Sequence, residues 1–175
     1  ESTHARFKQH RQDIHAGSRT LRDILQREQL RLAADALTVC AHWVTPPVNN
    51  SRRFDTRFFA ARLPAGQHPA HDEHETTESL WTTAGGAIAA AERGEIVLPP
   101  PTWIMLRELE PFRSVDDALA SMHGRTVERR EPESVEENGH RVFVMPGLFD
   151  SGTGPARRLT RFVWSDGRWL PQSAE

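Results

Sequence analysis

The stretch WVTPPVNNSRRFDTRFFAA, residues 43–61, decides which fold this chain can adopt. Its second part alternates with the two-residue period of a β-strand. One side of the extended chain carries Phe54, Thr56, Phe58 and Ala60, and the other carries Asp55, Arg57, Phe59 and Ala61. We therefore expect a strand over 53–63 that pairs, across a Pro- and Asn-rich turn, with an earlier strand over 37–44.

Two arginines stand at the entrance of the second strand. Paired guanidiniums on a rigid element can grip phosphate or carboxylate oxygens bidentately, so Arg52 and Arg53 are candidates for substrate binding, with Asp55 beside them. The alternative is an internal salt bridge to Asp55 or to the acidic loop downstream. The aromatic residues nearby are expected in the core instead of stacking on a base: Trp43, Phe58 or Phe59, and Trp81.

Composition narrows the class of protein. A length of 175 residues indicates one domain, or a domain with an appendage. The net charge of -2, with 22 basic and 24 acidic residues, provides no basic field for nucleic acid. There is no apolar run long enough to span a membrane, and the single cysteine, Cys40, lies in an apolar segment typical of a buried thiol. These features predict a soluble, cytoplasmic protein.

Helical periodicity and capping residues predict the remaining elements. Helices are expected over 3–15, 20–30, 84–93, 102–110 and 114–123, with a short strand over 95–98. The segment 127–139 is charged and is expected to be irregular. Strands over 141–145 and 159–164 follow, and Asp166-Gly167 predicts a β-hairpin near the C-terminus.

The order of several motifs resembles one branch of the Nudix hydrolases, which includes peroxisomal coenzyme A diphosphatases of animals and bacterial relatives. The motifs are WVTP (43–46), RRFDT (52–56), ESLW (78–81), the alanine helix (84–93) and LPPPT (98–102). The resemblance covers roughly residues 3–122. It implies an α/β protein with a partial or complete α/β/α sandwich around a mixed sheet, plus the C-terminal hairpin. It also implies hydrolysis of a nucleoside-linked diphosphate, such as coenzyme A, with Mg²⁺ or Mn²⁺.

One departure from this family bears on the chemistry. The Nudix box, G-x5-E-x7-R-E-U-x-E-E-x-G-U with U aliphatic, supplies the metal-binding carboxylates and does not occur here. The nearest string, Arg107–Glu110, lacks the second paired glutamate and the glycine. We therefore expect residues 1–123 to be the C-terminal portion of a Nudix-like domain and residues 124–175 a β-rich extension. We expect such a chain to lack the metal ligands, to be inactive alone and, because of an open sheet edge, to form a homodimer or to be poorly soluble.

The loop over 64–77 is rich in acidic residues and histidine and continues to Glu78. A loop carboxylate outside the box can assist as a base or metal ligand in this fold, and Glu78 is the candidate because it is nearest to Trp81. The other carboxylates of the loop are Asp72, Glu73 and Glu75. Its histidines, His68, His71 and His74, are spaced for zinc but lack a second ligand group. The simpler interpretation is a solvated polar loop.

Two functions follow. The first is a Nudix-type hydrolase of a coenzyme A-like substrate, in which this chain shapes the substrate cleft. The second is a non-catalytic binding or interaction module that keeps the sheet and the arginine edge without the chemistry.

Overall fold

The computed structural model describes residues 2–48, 52–67, 79–150 and 158–173. The chain divides into two compact units, Glu1–Ala36 and Leu37–Glu175. The boundary expected between residues 123 and 124 stays a prediction.

The first unit contains the two predicted helices. Helix α1 (Thr3–His15) begins at Ser2, whose hydroxyl accepts the Ala5 N–H at 3.2 Å. Helix α2 (Leu21–Arg27) begins with a reciprocal cap between Thr20 and Asp23 and ends three residues earlier than expected. A short 3₁₀ turn over Ala34–Ala36 closes the unit.

The second unit contains a mixed three-stranded sheet. Strand β1 (Thr38–Val44) pairs antiparallel with β2 (Asp55–Ala60), which confirms the predicted pairing. On its other side β1 pairs in parallel with β3 (Arg129–Arg130), so the strand order is β2-β1-β3. Along β2 exposed and half-buried residues alternate, as the sequence pattern predicts.

Three helices lie between β2 and β3 in the chain: α3 (Ala84–Glu92), α4 (Pro100–Leu109) and α5 (Val115–Met122). Helix α4 starts two residues before the predicted Thr102, because proline suits the first helical position, where no N–H is needed. The strand predicted over 95–98 is wrong. The Glu95 N–H instead bonds to the Ala90 carbonyl at 2.9 Å and closes the end of α3.

Four antiparallel strands form a second sheet in the order β4-β5-β6-β7. They are β4 (Glu133–Glu137), β5 (His140–Asp150), β6 (Arg158–Ser165) and β7 (Arg168–Ser173). The irregular segment predicted over 127–139 is therefore wrong, since it holds β3 and β4. The β4–β5 turn is Asn138-Gly139, with φ of 51° and 78°, and the predicted Asp166-Gly167 turn joins β6 to β7.

The core of the second unit joins both sheets to α3 and α4. Its buried residues are Ala41, Trp43, Ile88, Trp103, Ile104, Met145 and Phe162. Trp43 is in the core as predicted, and Phe58 packs against it. The core prediction for Trp81 is wrong, since this side chain is 73% exposed. Of the two alternatives Phe58 and Phe59, the core takes Phe58, and Phe59 is 51% exposed on the outer face of β2. The class is α/β with a mixed sheet, and the Nudix α/β/α sandwich stays a prediction.

Candidate functional site

The entrance of β2 is held in place by its neighbour across the hairpin. The Arg53 Nε–H donates to the Thr45 carbonyl at 3.0 Å, and the Phe54 N–H donates to Thr45 Oγ1 at 3.2 Å. The Thr45 N–H in turn donates to the Phe54 carbonyl at 2.9 Å. Arg53 also forms an ion pair with Glu131, between β3 and β4. Arg53 therefore fixes the geometry of the strand entrance.

Arg52 lies at the same entrance but makes a different contact. Its Cζ atom lies 5.4 Å from the centroid of the Phe54 ring, in cation–π geometry. Both residues are exposed. Within the ranges that the structure describes, Arg52 forms no ion pair with an acidic side chain, so its guanidinium can still bind an anion.

Asp55 is held by a histidine from β1. Its Oδ1 lies 2.6 Å from His42 Nε2 and 3.6 Å from Arg57 Nη1. The hydrogen bond from His42 lowers the pKa of Asp55, and the positive charges of His42, Arg57 and Arg129 lower it further. The sequence suggested an internal salt bridge between the arginine pair and Asp55 or the acidic loop. Arg53 does form an internal ion pair, but with Glu131, and Asp55 pairs with His42.

The strand register brings more cations to the same sheet. Arg57, His42 and Arg129 lie directly beside one another across β2, β1 and β3. Glu131 bridges Arg53 and Arg129, with 2.6 Å between Glu131 Oε2 and Arg129 Nη2. The exposed face of the sheet therefore combines several guanidiniums with fewer carboxylates.

Sequence reasoning missed Arg129 and Glu131. The doublet Arg129-Arg130 was visible, but it lies in the segment that was expected to be irregular. Only the parallel pairing of β3 with β1 aligns it with the first hairpin, and no local signal marks that pairing.

The opposite face of the hairpin borders an apolar cavity of about 230 Å³. Its walls include four aromatic side chains, Trp43, Phe58, Phe143 and Trp169, and five prolines, Pro46, Pro99, Pro100, Pro101 and Pro132. Thr45 and Thr56 complete the β1–β2 side. Because Thr45 lines the cavity and accepts the Arg53 hydrogen bond, the cavity adjoins the arginine entrance.

The proposed assisting carboxylate, Glu78, lies outside the described residues. The same holds for Asp72, Glu73, Glu75, His68, His71 and His74. Their suggested roles stay predictions.

The described carboxylates do not fit a Mg²⁺ or Mn²⁺ site. Across residues 2–48, 52–67, 79–150 and 158–173 there is no group of three or more His, Cys, Asp or Glu that could hold a metal ion. Glu108 instead lies 2.9 Å from Arg130 and 3.8 Å from Arg125, and Glu110 pairs with Arg107. Both glutamates of the string nearest to a Nudix box, Arg107–Glu110, are therefore in ion pairs with arginine and are not arranged to bind a metal.

Comparison with known proteins supports the family resemblance. Over 118 residues the chain is 31% identical to the acyl-coenzyme A diphosphatase NUDT19 of Xenopus laevis, and over 92 residues it is 35% identical to the human protein of that name. The chain is homologous to part of a Nudix-family protein. The two matches cover 64% and 51% of this chain, but only 31% and 24% of the curated proteins.

The predicted Nudix resemblance is therefore confirmed, for a chain that spans less than a third of the two relatives. No family model matches the chain, and no solved structure does. Within the described part of the chain, no helix is sufficiently long and apolar to cross a membrane.

Proposed function

We propose that this chain forms the substrate-facing side of a Nudix-type hydrolase that acts on a nucleoside-diphosphate-linked substrate of the coenzyme A type. The observation that carries the proposal is the 31% identity over 118 residues to a protein named as an acyl-coenzyme A diphosphatase. The match spans a minor part of that protein. We therefore propose the activity for a longer protein that contains this chain, and not for the chain alone.

The charges at the entrance of β2 support a role in binding. A diphosphate is polyanionic, and arginine binds phosphate oxygens through charge-assisted hydrogen bonds. Arg52 is the residue proposed to contact the phosphate directly. Arg53 and Asp55 position the entrance, because each is already held by a partner, Glu131 and His42 respectively.

The cleavage step needs more than the described residues provide. Divalent metal ions neutralise phosphate charge and activate the attacking water in this type of hydrolysis. Since the described carboxylates do not fit such a site, we assign none of them to bond cleavage. Glu78 is proposed as an assisting base or ligand, and we expect the chain alone to release no product.

Glu108 and Glu110 are paired with arginine side chains, and this pairing favours the second candidate, a binding module without catalysis. The two functions can be distinguished by measuring whether a longer protein that contains this chain hydrolyses coenzyme A. A hydrolase would cleave coenzyme A in the presence of Mg²⁺ and release adenosine 3′,5′-bisphosphate, whereas a binding module would bind coenzyme A unchanged.

The binding role can be tested on the chain itself by titrating it with coenzyme A in a calorimeter. Arg52→Ala is expected to weaken binding by roughly tenfold or more, since a hydrogen bond to a charged group contributes about 1.5–3 kcal/mol. Arg62→Ala is the matched control, because Arg62 pairs with Asp116 away from the entrance of β2. Equal affinities of Arg52→Ala and the unaltered chain would contradict the proposed contact.

Turnover is measured in the same samples by following adenosine 3′,5′-bisphosphate after Mg²⁺ is added. We expect none from this chain. Robust product release would show that the chain does contain a complete metal site.

A further inference from the structure

We infer that a second pocket, over strands β4, β5 and β6, binds an aromatic α-amino acid in its zwitterionic form. The pocket has a volume of about 590 Å³, which lies within the usual range for small-molecule sites. It shares no wall residue with the apolar cavity described above. The inference goes beyond the proposed hydrolase activity and does not depend on it.

The strand register brings the key residues of this pocket into one row. Arg141 of β5 is paired directly with Glu136 of β4. Val142 of β5 pairs with Val163 of β6, which places Trp164 beside Arg141 on the same face of the sheet. All three residues of the row line the pocket. An acid, a base and an aromatic ring therefore follow one another across three neighbouring strands.

The acid and the base of this row are not neutralised within the protein. Glu136 and Arg141 are both exposed, and within the described ranges neither side chain forms an ion pair or a hydrogen bond. The neighbouring Glu137, by contrast, pairs with Arg161 on the opposite face. Directly paired residues have Cα atoms about 5 Å apart. A cation and an anion separated by only a few bonds, as in an α-amino acid, suit this spacing.

The aromatic residue of the row is held in place while it remains accessible. The ring of Trp164 lies 5.2 Å from that of Trp169, in edge contact, and Trp169 lies 4.5 Å from Phe143, which packs against the core. The side chain of Trp164 is nevertheless 38% exposed. A fixed, accessible indole offers a surface on which an aromatic ring of a ligand can stack.

The charges of the pocket favour a zwitterion over a ligand with a single charge. A phosphate bound to Arg141 would lie close to the unpaired carboxylate of Glu136, which repels it. A simple cation at Glu136 would meet the guanidinium of Arg141 in the same way. An α-amino acid avoids both conflicts, because its ammonium group donates to Glu136 and its carboxylate accepts from Arg141.

The first test compares L-tryptophan with three analogues that each lack one part of it. N-acetyl-L-tryptophan lacks the ammonium group, L-tryptophanamide lacks the carboxylate, and L-alanine lacks the ring. In calorimetric titrations of the 175-residue chain, L-tryptophan should bind most tightly. Each analogue should bind roughly tenfold more weakly, because each one loses a charge-assisted hydrogen bond or the stacking contact.

Three variants assign each part of the ligand to one side chain. Glu136→Gln should make the affinities for L-tryptophan and its N-acetyl form nearly equal. Arg141→Gln should do the same for L-tryptophan and L-tryptophanamide, and Trp164→Leu should remove most of the preference over L-alanine. Glu133→Gln is the matched control and should change none of these ratios, because Glu133 is exposed on the same strand but does not line the pocket. Far-ultraviolet circular dichroism establishes that each variant is folded.

The outcomes also separate this site from the proposed function. If the unaltered chain does not bind L-tryptophan at millimolar concentration, the amino-acid site is overturned, and binding of coenzyme A still tests the proposed function by itself. Folded Glu136→Gln and Arg141→Gln variants that keep the ratios of the unaltered chain would overturn the site as well. Coenzyme A should not displace L-tryptophan, and displacement would show that the pocket belongs to the proposed substrate cleft instead.

Discussion

At the scale of single residues, the contact between His42 and Asp55 should affect how the stability of the protein changes at acidic pH. The hydrogen bond from His42 lowers the pKa of Asp55 below its ordinary value of 3.8. A carboxyl with a lowered pKa contributes stability above its ordinary pKa and loses it as the pH falls through the lower value. Asp55→Asn should therefore make the free energy of unfolding less sensitive to pH below about 4.

This is measured by urea unfolding at a series of acidic pH values. Asp116→Asn is the control, because the Asp116 side chain is 85% exposed and pairs with Arg62 at the surface. The prediction is contradicted if Asp55→Asn and the unaltered chain lose stability in parallel between pH 5 and pH 2.

Aromatic residues show what single positions in a sequence can and cannot reveal. Alternation alone separates Phe58 from Phe59, and the structure buries the first partly and exposes the second. Trp81 is exposed although large apolar residues usually contribute to cores. Burial of apolar residues is a one-way rule, since much of any protein surface is also apolar.

At the scale of elements, the β4–β5 turn is a position where one side chain should affect the fold. Gly139 has a φ of 78°, and no atom lies within 4 Å of a Cβ placed there, so the cost of a side chain comes from the backbone conformation. Gly139→Ala should destabilise the protein by roughly 1–2 kcal/mol. This turn connects β4 to the strand that carries Phe143, a wall of the cavity.

The matched control is Gly139→Asn, because asparagine tolerates the left-handed region better than alanine. Urea unfolding should rank the unaltered chain above Gly139→Asn, and Gly139→Ala last. Equal stability of the alanine and asparagine variants would show that this turn does not hold the left-handed conformation.

Local signals in the sequence predicted most elements, and distant pairing explains most errors. Ser114 caps α5 and Asp166-Gly167 turns the last hairpin, as expected from their immediate neighbours. Asn138-Gly139 is the same kind of turn signal, and it marks a hairpin within the segment that was predicted to be irregular. The parallel pairing of β3 with β1 joins residues more than 80 positions apart, which no local pattern contains.

At the scale of the whole molecule, the candidate site could be predicted only in part. Its first half, from Trp43 to Phe58, is continuous in sequence, and motif order led to the family that the homologues support. The other half comes from distant segments, Pro99–Pro101, Pro132, Phe143 and Trp169. A cavity arises from how these segments pack, so its presence follows from the fold and not from a motif.

The arrangement of the strands also bears on assembly. In the order β2-β1-β3, strand β2 lies at one end of its sheet, and Phe59 on its outer face is 51% exposed. The outer edge of a terminal strand presents N–H and C=O groups that can pair with another chain. We therefore predict a homodimer, for which light scattering should give twice the chain mass of 19.8 kDa.

A charged substitution on β2 tests whether this strand forms the contact between the two copies. Phe59→Lys should shift the protein to monomer, because lysine on an edge strand opposes strand pairing between chains. Leu63→Lys is the matched control, since Leu63 is similarly exposed but lies beyond the end of β2, and it should remain a dimer. A monomeric mass for the unaltered chain at every concentration, or a Phe59→Lys variant that stays dimeric, would show that this edge does not mediate association.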